Sequence, residues 1–122
     1  MNTKEIFEGF ERLKVLIVGD VMIDRYLVGK VGRISPEAPV PVVDLEKIDN
    51  RLGGAANVAL NIKALGATPF LCSVIGDEEA GDLFEQLLKK EQLSAKGLLK
   101  SNTRITTVKT RVLAKSQQLL RF

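Results

Sequence analysis

An α/β fold built on a mostly parallel sheet is the architecture this sequence predicts, and three observations predict it. Residues 14–18 and 69–75 are short apolar runs closed by Gly19 and Gly76. That is the pattern of strands buried on both faces, as in a parallel sheet. Segments with helical apolar spacing lie before and after the second run. Strand–helix–strand alternation then points to parallel neighbours joined by right-handed crossovers.

Each element follows from its own residues. Residues 3–12 carry Ile6, Phe7 and Phe10 at helical spacing, which predicts a short amphipathic helix ahead of the first strand. Residues 26–48 differ in texture: apolar residues come in short runs, with Pro36, Pro39 and Pro41 between them. Proline cannot donate to a β-ladder, so this stretch reads as edge strands and turns, a small β excursion from the main sheet. Gly53-Gly54 then opens a helix whose apolar stripe is Ala55, Val58, Ala59, Ile62 and Leu65, with Gly66 at the expected left-handed terminus. After the 69–75 strand, Asp77 is the expected N-cap of a further helix, with Glu78 and Glu79 in its first turn. Its stripe is Ala80, Leu83, Phe84, Leu87 and Leu88, and Lys89 and Lys90 fall at the negative end of the dipole. Residues 103–122 are extended again, with a turn at 114–117 that makes a hairpin. The predicted order is helix, strand, β excursion, helix, strand, helix, hairpin. The sequence stops at Phe122 inside an apparent strand, an odd place for a domain to end, so a fragment of a larger domain is expected.

Composition narrows the function classes. The chain has 122 residues, 45% of them hydrophobic and 27% charged, which argues for a folded core and against disorder. Its net charge of +3 is spread along the chain, aromatics are 5%, and there is no Trp. Nucleic-acid binders concentrate their cations on one face and add stacking aromatics, so no nucleic-acid partner is expected. Cys72 is the lone cysteine and sits in an apolar run. It excludes an internal disulfide framework, gives no metal cluster, and suits a reducing compartment. The amino terminus lacks the apolar core of a signal peptide, and the longest uncharged stretch, residues 64–76, is too short to span a bilayer. A cytoplasmic protein without a membrane partner is expected.

Two constellations could carry chemistry. Gly19-Asp20-Val21-Met22-Ile23-Asp24 lies at the carboxyl end of the first strand, where open α/β sheets bind ligands. A carboxylate there can accept hydrogen bonds from a polyol, worth about 1.5–3 kcal/mol where a charged group takes part; the same residue type also serves as a turn or cap aspartate. Gly53-Gly54-Ala55-Ala56-Asn57 opens a helix. Glycines let a ligand approach the backbone, the free N–H groups favour electron-rich oxygens, and Asn57 can donate and accept at once. The segment is neither the GxGxxG dinucleotide loop nor the GxxxxGK[ST] nucleotide loop.

Together these segments resemble the ribokinase family of carbohydrate kinases. Gly53-Gly54-Ala55-Ala56-Asn57-Val58-Ala59, followed by Gly66 and Gly76 at the family's spacing, fits its amino-terminal signature, and the family's sugar-binding aspartate falls on Asp24. Within the family, three segments look like those of heptose 7-phosphate kinases: residues 19–26, residues 33–43, and Thr110-Arg111-Val112-Leu113 with Gln117-Gln118-Leu119. The resemblance runs from about Leu13 onward. It implies part of a three-layer ribokinase-like fold in which residues 26–48 and 103–122 form a β lid over the sugar, the lid also making a homodimer interface. It implies phosphorylation of D-glycero-D-manno-heptose 7-phosphate at its anomeric hydroxyl, on the ADP-heptose route to lipopolysaccharide core, with ATP and Mg²⁺ as cofactors. Substrate-binding residues would be Asp24, Gly53, Gly54, Asn57 and Arg111. Arg33 and Lys109 are further candidates for the substrate's phosphate, as is Arg104, because arginine offers a planar fork matched to phosphate oxygens.

The family's catalytic aspartate lies in a GxGD motif, and no such run occurs in these residues. The catalytic residue is therefore expected beyond residue 122, and the segment alone is expected to be inactive. Two alternatives stand beside this reading: another ribokinase-type sugar or nucleoside kinase, and a non-catalytic half-domain that binds sugar phosphate or dimerises.

Overall fold

The computed structural model describes residues 1–115 and 117–122. It divides into two compact units, Met1–Ile23 with Leu52–Thr107, and Asp24–Arg51 with Val108–Phe122. In chain order the elements are α1 Thr3–Gly9, a 3₁₀ turn Phe10–Arg12, β1 Lys14–Val18, β2 Val21–Ile34, β3 Pro41–Gly54, α2 Ala55–Ala64, β4 Thr68–Gly76, α3 Glu79–Lys90, β5 Leu98–Ser101, β6 Thr107–Ala114 and β7 Gln117–Arg121. Among the described residues no helix is long and apolar enough to cross a membrane.

The first unit holds a parallel sheet in the order β1-β4-β5. Lys14 lies opposite Thr68 and Val18 opposite Cys72; Ser73 lies opposite Leu98 and Gly76 opposite Ser101. α2 and α3 pack on this sheet. Ala56 and Ala59 of α2, Phe84 and Leu88 of α3, and Ile75 of β4 are fully buried, as is Ile23. α2 ends as a Schellman motif: Gly66 has φ +104° and donates to the Lys63 carbonyl, while Ala67 donates to that of Ile62.

Four local expectations are corrected. Strand β5 was not anticipated; its four residues are too few to show a period. β1 is not buried on both faces, because the sheet face that carries Leu16, Val18 and Phe70 is open and these side chains are exposed. Of the expected α2 stripe, Ala59 is buried, but Val58 and Leu65 are exposed, and Ala56, which lay outside the stripe, is buried in their place. A helix that is apolar on most sides has no single stripe, and two alanines permit the closest approach to the sheet. Finally, Glu78 caps α3 in place of Asp77, its carboxylate accepting the Gly81 N–H at 2.9 Å.

The second unit is built on a four-stranded sheet in the order β3-β2-β6-β7. Pro36 and Pro39 fall in the connection between β2 and β3, and Pro41 is the first residue of β3, an edge strand. All three thus sit where no ladder donor is lost. β6 and β7 are antiparallel, with a register shift between Val112 and Leu113. Lys115 takes a positive φ of 51° in the expected turn; Ser116, at the same turn, lies outside the described residues.

Candidate functional site

Asp24 stands on β2 in the second unit. Its carboxylate accepts from the Arg111 guanidinium across to β6 at 3.3 Å. Alternation along β2 turns Tyr26 to the same face as Asp24 and Leu27 to the other. Two arginines lie over the ring of that tyrosine. The guanidinium carbons of Arg51 and Arg111 are 4.9 Å and 5.4 Å from the ring centre, within cation–π range. Arg51 is tied to Asp49, two residues back on β3, through Nε at 2.9 Å and a terminal nitrogen at 2.8 Å. One face of this sheet is therefore a polar surface of two carboxylates, two guanidinium groups and a phenol. On the opposite face Leu27, Val43, Leu45, Val112 and Leu120 line an apolar groove of about 540 Å³.

Gly53, Gly54 and Asn57 belong to the first unit, where β3 passes into α2. Gly54 has φ +62°, and a Cβ there would lie 2.5 Å from the Asp20 carbonyl oxygen. That carbonyl accepts the Ala55 N–H at 2.8 Å. Glycine at 54 is thus required by backbone packing. Asn57 is exposed, in the first turn of α2.

The phosphate candidates separate. Lys109 lies two residues before Arg111 on β6 and shares its face by alternation. Arg33 is nine residues along β2 from Asp24, about 30 Å at roughly 3.3 Å per residue, so the two do not reach one small ligand within a chain. Arg104 belongs to the first unit, in the segment between β5 and β6, beside Asp77, Ser101 and Asn102. Tyr26 and Arg51 were not singled out from the sequence. Tyr26 is the chain's single tyrosine and alternates with Asp24, and Arg51 directly precedes Leu52-Gly53-Gly54; these were the available signals.

Comparison with known proteins bears on this geometry. The model of the pfkB family carbohydrate kinases matches residues 12–122. The chain is 50% identical over 108 residues to the bifunctional protein HldE of Helicobacter pylori strain P12, covering 88% of this chain and 23% of that protein. It is 51% identical over 114 residues to a D-beta-D-heptose 7-phosphate kinase of Bordetella bronchiseptica, covering 93% of this chain and 36% of that one. The chain thus spans about a quarter to a third of the length of these relatives. Among solved structures, a carbohydrate kinase from Agrobacterium tumefaciens superposes with TM-score 0.70 at 19% identity, over 89% of this chain and 34% of that one. A nucleoside kinase from Methanocaldococcus jannaschii, an archaeal member of the ribokinase family, gives 0.65 at 24% identity, over 89% and 36%. These two share the fold, a ribokinase-like α/β architecture represented here in part. With the family match running from the end of the 3₁₀ turn through β7, the chain belongs to the pfkB family of carbohydrate kinases.

Proposed function

We propose that this chain supplies the sugar-binding part of an ATP-dependent kinase that phosphorylates D-glycero-D-manno-heptose 7-phosphate at its anomeric hydroxyl. The observation that carries the reading is the Asp24 carboxylate, on the residue that matches the family's sugar-binding aspartate and held by Arg111 at 3.3 Å. The 51% identity to a protein named D-beta-D-heptose 7-phosphate kinase supports the choice of sugar. In this reading Asp24 accepts hydrogen bonds from sugar hydroxyls. Gly53 and Gly54 admit the sugar close to the backbone, and Asn57 donates to and accepts from a further hydroxyl. Residues 26–48 and 103–122 act as the lid that excludes water before transfer, and Lys109 adds positive charge for the substrate's phosphate.

The kinase as a whole would draw on ATP and Mg²⁺, whose chemistry is neutralisation of charge on the transferred phosphoryl group. The residues present do not make that site. The sequence holds no GxGD run, and among the described residues no three His, Cys, Asp or Glu side chains are grouped to hold a metal ion. No step through ATP is assigned to this chain. The apolar groove on the second unit's sheet suits a homodimer contact through the lid, and the lone Cys72 suits the cytoplasm.

The test is a coupled ATP-turnover assay on the full-length gene product, with heptose 7-phosphate set against ribose, fructose 6-phosphate and nucleosides. Heptose 7-phosphate is expected to give the highest kcat/KM, and the 122-residue chain alone none. Asp24→Asn is expected to lower kcat/KM by about 10- to 100-fold, the loss of a charge-assisted hydrogen bond of about 1.5–3 kcal/mol. Preference for a nucleoside or an unphosphorylated sugar would overturn the reading.

A further inference from the structure

The polar face of the second unit's sheet holds a device that the sugar aspartate does not explain. Tyr26 is on β2, with β3 on one side and β6 on the other. Arg51 comes from β3 and Arg111 from β6, and both guanidinium groups lie over the same phenol ring, at 4.9 Å and 5.4 Å. Each is also held from the side by a carboxylate, Arg51 by Asp49 and Arg111 by Asp24. An arginine has five N–H donors. The carboxylates take two from Arg51 and one from Arg111, so most of the donors are left for a ligand.

Ordinary surface arginines are mobile, and fixing them on binding costs entropy. Here ring and carboxylates fix both planes beforehand. Each planar fork, held in this way, matches the oxygens of a phosphate dianion. Lys109 shares the face of Arg111, so three cations stand against the two carboxylates. Asp24, which binds Arg111, is itself the candidate reader of hydroxyls. A ligand carrying hydroxyls and a phosphate matches this surface better than one carrying either alone.

We propose that Arg51 and Arg111, oriented by Tyr26, Asp49 and Asp24, clamp the phosphate that the sugar substrate already carries. This rests on the sugar-phosphate kinase reading and adds to it two residues, Arg51 and Tyr26, and a division of labour. Asp24 reads hydroxyls, and the arginine pair reads the phosphate ester.

The test uses the full-length enzyme with Arg51→Gln and Arg51→Lys. The quantity read is the ratio of kcat/KM for heptose 7-phosphate to that for the heptose without its phosphate, together with the KM for ATP. Arg51→Gln is expected to lower the ratio by about 10- to 100-fold, the range for losing charge-assisted hydrogen bonds. Arg51→Lys, which keeps the charge and loses the fork, is expected to restore part of it and serves as the variant of record if Arg51→Gln folds poorly. An unchanged ratio, or an effect confined to the KM for ATP, overturns the clamp while leaving the kinase reading intact. If the wild-type enzyme turns over no sugar phosphate, the kinase reading fails, and the clamp is decided by ³¹P NMR titration with inorganic phosphate. Broadening by the wild type that Arg51→Gln abolishes supports it; equal broadening overturns it.

Discussion

Thr106 is 5% exposed, and its hydroxyl and backbone N–H are both engaged in the first unit. Its hydroxyl accepts the Gly76 N–H at 2.9 Å and donates to Glu78 Oε1, and its own N–H donates to Glu78 Oε2 at 3.0 Å. Glu78 Oε1 also accepts the Gly81 N–H. One carboxylate thus ties the end of β4, the start of α3 and the segment before β6. A Cβ at Gly76 would lie 2.6 Å from both the Arg104 carbonyl and Glu78 Oε1, so the knot closes only around glycine. Thr106→Val would leave the Gly76 N–H without its acceptor and take one of two donors from Glu78 Oε1. A loss of about 1–3 kcal/mol is expected in urea unfolding. The Thr106 hydroxyl holds the Glu78 carboxyl below its usual 4.5, aided by the Thr106 and Gly81 N–H groups and opposed by burial. A carboxyl with a lowered native pKa binds protons more readily when unfolded. Its stabilisation is therefore complete above about pH 4.5 and fades as pH falls through the lowered native value. Glu78→Gln should flatten the acid limb of the stability–pH curve and leave its slope near neutrality unchanged; equal acid slopes in both proteins would refute the coupling.

Elements with a strong period were legible before the structure, and elements without one were not. α3 places Phe84 and Leu88 inside and Lys89 and Lys90 in its last turn, as its spacing predicts. β1 and β4 begin and end within a residue of their apolar runs. β5 escaped because four residues carry no period, and the α3 cap was misplaced because Glu78 is recruited by Thr106, 28 residues away. α2 shows the same limit: its sequence is apolar on most sides, so the spacing picked out Ala59, and only packing on the sheet selects Ala56 beside it and leaves Val58 and Leu65 outside. The candidate site divides likewise. Asp24 and the Gly53-Gly54 corner lie in local motifs. The Arg51–Tyr26–Arg111 cluster is assembled from three strands and has no signature in any one segment. The inner face of α2 can be tested. Ala59→Leu adds volume at a position with no exposed surface and is expected to cost about 1–3 kcal/mol. Val58→Leu, at a position 46% exposed, is expected to stay within about 0.5 kcal/mol. The reverse order, read by thermal or urea unfolding, would mean that Val58 and not Ala59 faces the sheet.

At the scale of the whole molecule, the three-stranded sheet of the first unit is unevenly covered. Leu71 and Ile75, on the odd-numbered face of β4, are buried. On the other face Leu16 and Val18 of β1 are 67% and 72% exposed, Phe70 of β4 is 42% and Leu99 of β5 is 66%. Leu16 lies opposite Phe70, and Val74 opposite Leu99, so these side chains form one continuous apolar band across the sheet. A band of this kind on a soluble protein marks a surface that something covers. The chain spans 23% to 36% of its relatives' length, and a full-length protein of their size has ample chain to do so. The consequence is opposite in sign for the two forms. In the isolated 122-residue chain, Leu16→Lys with Leu99→Lys should reduce dye binding and self-association, because it removes an exposed patch. In the full-length protein the same pair should destabilise by about 3–6 kcal/mol, taking about 1.5–3 kcal/mol for each buried leucine side chain. Dye fluorescence and sedimentation on the fragment, and urea unfolding on the whole protein, read the two effects separately. A neutral result in the full-length protein would mean that this face stays open there and that the band serves a contact with another molecule.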